Sequence, residues 1–350
     1  MNKKNICMFW AFSWNNRWDF AILETIVNNI NEFSENIYIS SKKPKIIQKE
    51  LKNIKNVNVF KTYTSYIWIN SIKYIYKSDI VTIWWWWLIF ERNFFNIFFN
   101  HLIWIFFVVF ISKLLKKDIY IFSVWVEKIT KKIPKIILKY ILKNPTKISV
   151  RDQNSLKIVK NIYSRDYLIF NDPVLSINIK NNDINKKWAV IIINKSTLND
   201  KWLIKLIDLL NKLNIRVTIF ENERTQNLVK NFIKENNLDN KVSYIKEDLI
   251  DTKKIIAFLS GFEITITAPM HWAIFSYLWK TPVMCISWNE KVKSFLDIVD
   301  NDFLVFNSFW DIREKDILLT IWNNIDKNKF KKVQKKSQEW LDYFIKNFLK

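Results

Sequence analysis

The stretch Val81-Thr-Ile-Trp-Trp-Trp-Trp-Leu-Ile-Phe90 places four consecutive indoles directly after a β-branched, strand-like run. Four adjacent large rings make a poor core, because each carries an N–H that needs a partner when buried. Composition sharpens the question. Average glycine usage of about 7% predicts roughly 25 glycines in a chain of this length, whereas the 350 residues contain Gly 1 and Trp 18. Their sum, 1 + 18 = 19, approaches an ordinary glycine count. Two readings follow. The chain is naturally Trp-rich, or many tryptophans stand where the organism places glycine, as happens when a UGA codon read as glycine is translated as Trp. The glycine reading is favoured, since a fold of this size without residues for positive φ is hard to build. It predicts positive φ or poorly packed rings at several of Trp10, Trp14, Trp18, Trp84, Trp85, Trp86, Trp87 and Trp125, and a quartet that crowds an interdomain cleft or splays into solvent.

Working outward, the chain alternates short apolar strands with helical patterns. Ile6 to Phe9 reads as a buried strand, Trp10 to Asp19 as a loop, and Phe20 to Ile30 as a helix. With glycine restored the loop becomes G-A-F-S-G-N-N-R-G-D, which lets backbone N–H groups at a helix start meet an anion. Ile37–Ser40, Val57–Phe60, Ile80–Ile83, Ile119–Val124 and Ile148–Val150 continue the strands, with a helix from Ser155. The quartet then follows a strand, at the carboxyl end where open α/β sheets place their ligands. A polar linker at 178–187 separates a second alternation. Its strands are Trp188–Ile193, Arg216–Phe220, Lys241–Ile245 and Glu263–Thr267, and Gly261 is placed at a helix C-cap. The expectation is an α/β protein of two parallel-sheet domains, 1–177 and 188–326, with a docked C-terminal helix over 327–350.

The bounds on function are loose but useful. Hydrophobic content of 49% and charged content of 25% describe a globular chain. The net charge of +22 is compatible with acidic or phosphorylated substrates. Part of it reflects a composition rich in Lys, Asn, Ile, Phe and Tyr, so nucleic acid is not expected as a partner. Cys7 and Cys285 lie far apart and there are two histidines, so no zinc-type ligand cluster is readable. The N-terminal apolar run is too short for a signal peptide. The apolar stretch from Phe94 to Leu115 is interrupted by Asn96, Asn100 and His101 and reads as a buried or interface-lying helix, since a span needs about 20 apolar residues. His101 itself is read as structural. A cytoplasmic protein is expected, compatible with peripheral contact at the inner face of the membrane.

With glycine restored, the motifs line up in order with the polysaccharide pyruvyl transferase family. Trp10, Trp14, Asn16, Trp18 and Asp19 resemble its opening G-x-x-G-x-x-N-x-G-D, and the quartet with Leu88, Ile89 and Glu91 resembles G-G-G-L-x-x-D. Ser149-Val-Arg-Asp152 with Ser155 is similar to S-V-R-D-x-x-S, and Asp172-Pro173 to the D-P that follows. Met270-His271 with Trp272, Trp279, Pro282 and Lys291 resembles R-[LM]-H-[AG] followed by G-x-P and a Lys, with one extra residue between Trp279 and Pro282. The resemblance implies two Rossmann-like domains facing a cleft, as in GT-B glycosyltransferases. It also implies transfer of pyruvate, as a ketal, from phosphoenolpyruvate to a sugar of a cell-surface glycan or its lipid-linked precursor. Phosphoenolpyruvate would be a co-substrate, and no metal or redox cofactor is required.

That chemistry needs cations for a phosphate and a carboxylate, a proton donor for the enol carbon and a base for the sugar hydroxyl. The resemblance makes His271 the acid/base candidate, with Asp19 and Glu91 as further catalytic candidates. Arg151, Asp152, Asn16, Lys291 and the Trp84–Trp87 loop are the substrate-binding ones. Plainer readings stand beside these: a hydrogen-bonded helix-start histidine, an Arg151–Asp152 helix-entry ion pair, an N-capping Asp19 and a solvated Lys291. The family's Arg two residues before the histidine is Pro269 here, which supplies neither cation nor N–H. Lys195, Arg224, Lys280 or Lys291 would then have to compensate. Two rival functions remain, a glycosyltransferase using a nucleotide sugar and a non-catalytic glycan- or membrane-surface module. Intact-mass measurement of the native protein tests the glycine reading. A mass below the 42.5 kDa of the written sequence is expected, and agreement with that value refutes it.

Overall fold

The structure is a computed structural model and describes residues 3–9, 17–61, 67–84, 101–177, 188–193, 200–221, 227–246, 252–286, 299, 304–322 and 325–349. The chain forms two compact units. Unit 1 comprises Met1–Ser176 and Lys335–Lys350, and unit 2 comprises Ile177–Gln334.

In unit 1 the strands are β1 (Lys4–Phe9), β2 (Ser34–Ser41), β3 (Val57–Lys61), β4 (Ile80–Trp84), β5 (Asp118–Val124), β6 (Lys147–Val150) and β7 (Leu168–Ile169). They are joined by α1 (Arg17–Ile30), α2 (Pro44–Glu50), α3 (Ile67–Lys77), α4 (His101–Leu114), α5 (Lys132–Lys143) and α6 (Gln153–Ile162). All pairings are parallel, in the order β3-β2-β1-β4-β5-β6-β7. The central strands β1, β4, β5 and β6 are buried along most of their length because helices cover both faces of such a sheet. Right-handed crossovers then put α1 and α2 on one face and α3, α4 and α5 on the other, because the chain moves across the sheet in opposite directions before and after β3.

Unit 2 repeats the plan. Its strands are β8 (Trp188–Ile192), β9 (Arg216–Glu221), β10 (Val242–Lys246), β11 (Ile264–Thr267), β12 (Val283–Ile286) and β13 (Leu304–Phe306), in the order β10-β9-β8-β11-β12-β13. Its helices are α7 (Asp200–Lys212), α8 (Leu228–Glu235), α9 (Thr252–Ser260), α10 (Met270–Trp279) and α11 (Glu314–Trp322). The last helix, α12 (Lys327–Phe344), begins among unit 2 residues and continues among those of unit 1. Within unit 2 its Phe330 ring lies 5.3 Å from Tyr277, and Gln334 Nε2 donates to the Ile177 carbonyl.

The opening stretch reads differently in three dimensions. Trp84 is the last residue of β4 rather than the first of a loop, and it is 1% exposed. Its indole N–H donates to Thr82 Oγ1 at 2.7 Å, which removes the cost expected of a buried ring. The ring packs 4.5 Å from Phe122 and 4.8 Å from Trp340 of α12. Trp18, in α1, and Trp125, after β5, are also buried, and none of the three has a positive φ. The expectation of glycine-like backbone or poor packing therefore fails at these positions; Trp10, Trp14, Trp85, Trp86 and Trp87 lie outside the described residues. Left-handed backbone occurs instead at Asn56, Asn214, Asn227 and Asn237, and at Lys116, Ser123 and Lys280. Asparagine tolerates this region because its short side chain bonds locally to the backbone. Gly261 directly follows the last residue of α9, at the expected C-cap position, and takes it without a left-handed φ.

The α12 ring cluster is a principal anchor of unit 1. Trp340 and Phe344 are fully buried against Trp84, Phe122 and Tyr120. Trp340→Ala is expected to lower stability by about 3–5 kcal/mol, measured by denaturant unfolding; a loss below about 1 kcal/mol would contradict this packing role.

Candidate functional site

The geometry of each unit is set at the point where strand order reverses. In unit 1, β1 lies beside β4 with Phe9 opposite Ile83. The segments leaving these neighbouring strands are 10–16 and 85–100, which carry the opening motif and the remainder of the quartet motif. Asn16, Trp85, Trp86, Trp87 and Glu91 fall within them and outside the described residues. Ligands of open α/β sheets bind in the crevice at such a reversal.

Asp19 is the third residue of α1 and is 7% exposed, so it sits within the first turn rather than at the N-cap. Its field acts on Asp172, as do those of Arg151 and the side chain of Trp18. Three motifs far apart in sequence thus converge in one buried cluster. Arg151 follows β6, and its backbone N–H donates to the Val124 carbonyl. Its side chain is 1% exposed, and Nε lies 3.5 Å from Asp152 Oδ2. The other Asp152 oxygen caps α6, accepting from Ser155 N at 2.7 Å. Ser155 Oγ in turn accepts from Val126 N at 3.1 Å. The helix-entry ion pair is therefore present, and the same carboxylate serves as helix cap.

Asp172 completes the cluster, although its motif had not singled it out as a functional group. It is fully buried, with Oδ1 accepting from Val174 N at 2.9 Å. Burial pushes its carboxyl well above the ordinary range; the Val174 N–H, Arg151 and Trp18 oppose this only in part. Burial likewise lowers the Arg151 guanidinium, opposed by Asp152 and Asp172. Nearby, β5 breaks register against β6, and Ser123 takes the left-handed φ of 47° that the glycine reading had placed at Trp125. Its N–H donates to Ser149 Oγ at 2.9 Å.

In unit 2 the equivalent reversal pairs Ile192 of β8 with Thr267 of β11. The chain then makes one tight step. Ala268 N donates to the Ile192 carbonyl at 2.9 Å, Thr267 Oγ1 donates to the Pro269 carbonyl at 3.1 Å, and Pro269 is the extended N-cap of α10. Proline suits this place because the N–H it lacks would have no helical partner. α10 is apolar around its whole circumference, and nine of its ten residues are buried. His271, in the first turn, is the exception and is half-buried. Ser276 Oγ donates to Thr265 Oγ1 at 3.0 Å, fixing the helix against the strand before it.

α10 ends at Lys280, whose φ of 60° is left-handed. The conformation that a G-x-P motif gives to its glycine is thus at Lys280 in Lys280-Thr-Pro282, one residue later than the Trp279 match. Lys291, Lys195 and Arg224 lie outside the described residues.

Two parallel α/β sheets, one of seven strands and one of six, each with a reversal of this kind, are the fold of GT-B glycosyltransferases and sugar epimerases. The UDP-GlcNAc 2-epimerase of Methanocaldococcus jannaschii aligns with a TM-score of 0.66 at 10% identity, over 98% of this chain and 100% of that one. The Neisseria meningitidis UDP-GlcNAc 2-epimerase bound to UDP-GlcNAc gives 0.65 at 9% identity, over 98% and 100%. Acinetobacter baumannii MurG gives 0.55 at 11%, over 98% and 99%. At the level of sequence, the polysaccharide pyruvyl transferase family matches residues 19–290, and the chain belongs to that family. No curated protein sequence matches it.

The cluster in unit 1 makes a pH prediction. A carboxyl whose native pKa is raised holds its proton in the folded state after the unfolded chain has released it, so it lowers stability as pH rises above the ordinary value of 3.8. Asp172→Asn removes this slope. The variant is expected to gain thermal stability relative to the parent as pH rises from about 4 toward neutrality; a constant difference across that range would exclude the raised carboxyl.

Proposed function

We propose that the protein transfers a pyruvyl group from phosphoenolpyruvate to two hydroxyls of one sugar in a cell-surface glycan or its lipid-linked precursor. The observation that carries this reading is the position of His271, the one half-buried residue of an otherwise buried helix, immediately after the strand reversal of unit 2. The family match over 19–290 supports it.

The reaction adds a proton to the methylene carbon of the enol, and a sugar hydroxyl attacks the adjacent carbon. A second hydroxyl then displaces inorganic phosphate from that carbon, leaving a ketal with two C–O bonds to the sugar. Of the two hydroxyl protons, one balances the new methyl group and the other leaves with phosphate. His271 is assigned the proton transfer, because an imidazole changes charge near neutral pH. First-turn N–H groups of α10 point toward the same end of the helix and favour an anion there. Arg151, buried and engaged by Asp152, is assigned to hold the motif segments of unit 1 together rather than to touch the donor. Asp19, equally buried, is assigned to positioning the start of α1. Direct substrate roles are assigned to the segments carrying Asn16, Trp85 to Trp87, Glu91 and Lys291, while Trp84 is engaged in the core of unit 1.

The nucleotide-sugar reading draws support from the fold neighbours, one of which is described as bound to UDP-GlcNAc. A single assay separates the two. Acceptor-dependent phosphate release from phosphoenolpyruvate is expected, falling by about a hundredfold or more in His271→Ala. Saturable binding of a nucleotide sugar with no phosphoenolpyruvate binding would overturn the proposal in favour of glycosyl transfer. Phosphate release that is unaffected in His271→Ala would overturn the assignment of the histidine.

A further inference from the structure

We propose that the α3–α4–α5 face of unit 1 docks the protein on an anionic lipid surface. The three helices lie side by side on one face of the sheet, α3 against α4 and α4 against α5. Their inner sides supply Ile75, Leu102, Val108 and Leu138 to the core. Their outer sides are unusual. α3 presents Ile69, Ile72 and Tyr76, spaced as one helical stripe and 67%, 38% and 69% exposed. α4 presents Phe110 and Leu114, one turn apart, and α5 presents Ile133 and Ile136. An isolated exposed apolar side chain needs no explanation, but neighbouring helices that each carry a stripe do.

Charge selects the partner. None of the three helices contains an aspartate or glutamate. Exposed lysines border the stripes instead: Lys73 and Lys77 on α3, Lys113 on α4, and Lys132, Lys135, Lys139 and Lys143 on α5. Of the nearest carboxylates in sequence, Asp79 precedes β4 and accepts from Asn5, Asp118 begins β5 and accepts from Thr146, and the half-buried Glu127 lies five residues before α5. A surface of lysines mixed with Ile, Phe, Leu and Tyr matches interfacial helices, whose apolar side chains enter the headgroup boundary while the ammonium groups meet lipid phosphates. None of the described helices is long and apolar enough to cross a bilayer, and α4, at 14 residues, is about 21 Å long against a hydrocarbon core of about 30 Å. The face therefore lies on the membrane and does not enter it as a span. This inference is independent of the pyruvyl reaction.

The test is co-sedimentation of the full chain with vesicles of phosphatidylcholine alone or mixed with phosphatidylglycerol. Binding is expected only to the mixed vesicles, weakening as salt is raised. The triple variant Lys132→Gln, Lys135→Gln, Lys139→Gln is expected to bind about a hundredfold more weakly. The double variant Ile133→Asp, Ile136→Asp is expected to lose binding with its circular dichroism unchanged. Should that double variant unfold, the lysine variant decides alone, because its side chains are exposed. Absence of binding, equal binding to both vesicles, or variants that bind like the parent would overturn the proposal. So would a parent dimer that dissociates in the isoleucine variant while vesicle binding persists, which would make the face an interface between copies. No donor or acceptor is needed for vesicle binding, so its failure leaves the proposed reaction standing.

Discussion

The parallel pairing of β1 with β4, repeated by β8 with β11, is the constraint on which the rest of the molecule depends. Once two strands separated by three crossovers lie side by side, the right-handed connection rule puts the helices of the first two crossovers on one face and those from the third onward on the other. The loops leaving the two strands then diverge, and a crevice opens at their carboxyl ends. In unit 1 these are the loops that carry the opening and quartet motifs. In unit 2 the corresponding connection after β11 has almost no length, so that His271 follows the strand by four residues. The same rule gathers α3, α4 and α5 on one face, so the putting together of a lysine-bordered apolar surface and the placing of the motif loops have one origin in the strand order.

A second constraint acts within unit 1. Arg151, Asp152, Asp19 and Asp172 are all buried, with the guanidinium in the field of Asp152 and Asp172, and with Asp19 acting on Asp172. Buried charges of this sort are tolerated only when paired or neutralised. Here Asp152 pairs with Arg151 and caps α6, while Asp172 is driven toward its neutral form. The cluster joins the start of α1, the β6–α6 junction and the segment after β7. It therefore fixes the helix that begins just past the first motif loop. Breaking one member leaves the others as uncompensated buried charge, which gives the S-V-R-D and D-P residues a reason to be present that requires no contact with substrate.

The alternation of strand and helix was legible because buried parallel strands are short apolar runs, and these differ plainly from the lysine-rich amphipathic segments between them. The order of the motifs carried the family. The meaning of Trp84 was not legible, since sequence does not reveal that Thr82 and α12 complete a pocket for its ring. Asparagine occupies four of the seven left-handed positions among the described residues, so the chain's Asn-rich composition supplies backbone freedom that a glycine count misses. The convergence of Asp172 on Arg151 depends on tertiary folding, and the D-P pair was the only local trace of it.

The place of Pro269 narrows where the donor's cation can come from. Proline at the N-cap leaves the start of α10 well formed, so what is lost relative to the family's arginine is charge rather than structure. Lys280 does not replace it. It stands at the far end of the same helix, about 15 Å from the first turn at 1.5 Å per residue, and its ammonium lies 5.1 Å from the Phe330 ring. The remaining candidates share a feature visible only once the strands are placed. Lys195 follows the end of β8 by three residues, Arg224 follows β9 by three, and Lys291 follows β12 by five. All three belong to connections that leave the carboxyl edge of the unit 2 sheet, the edge at which His271 also stands. Under the proposed reaction, the connections after β8, β9 and β12, which begin at the edge where His271 stands, are where a cation in place of the family's arginine would have to come from.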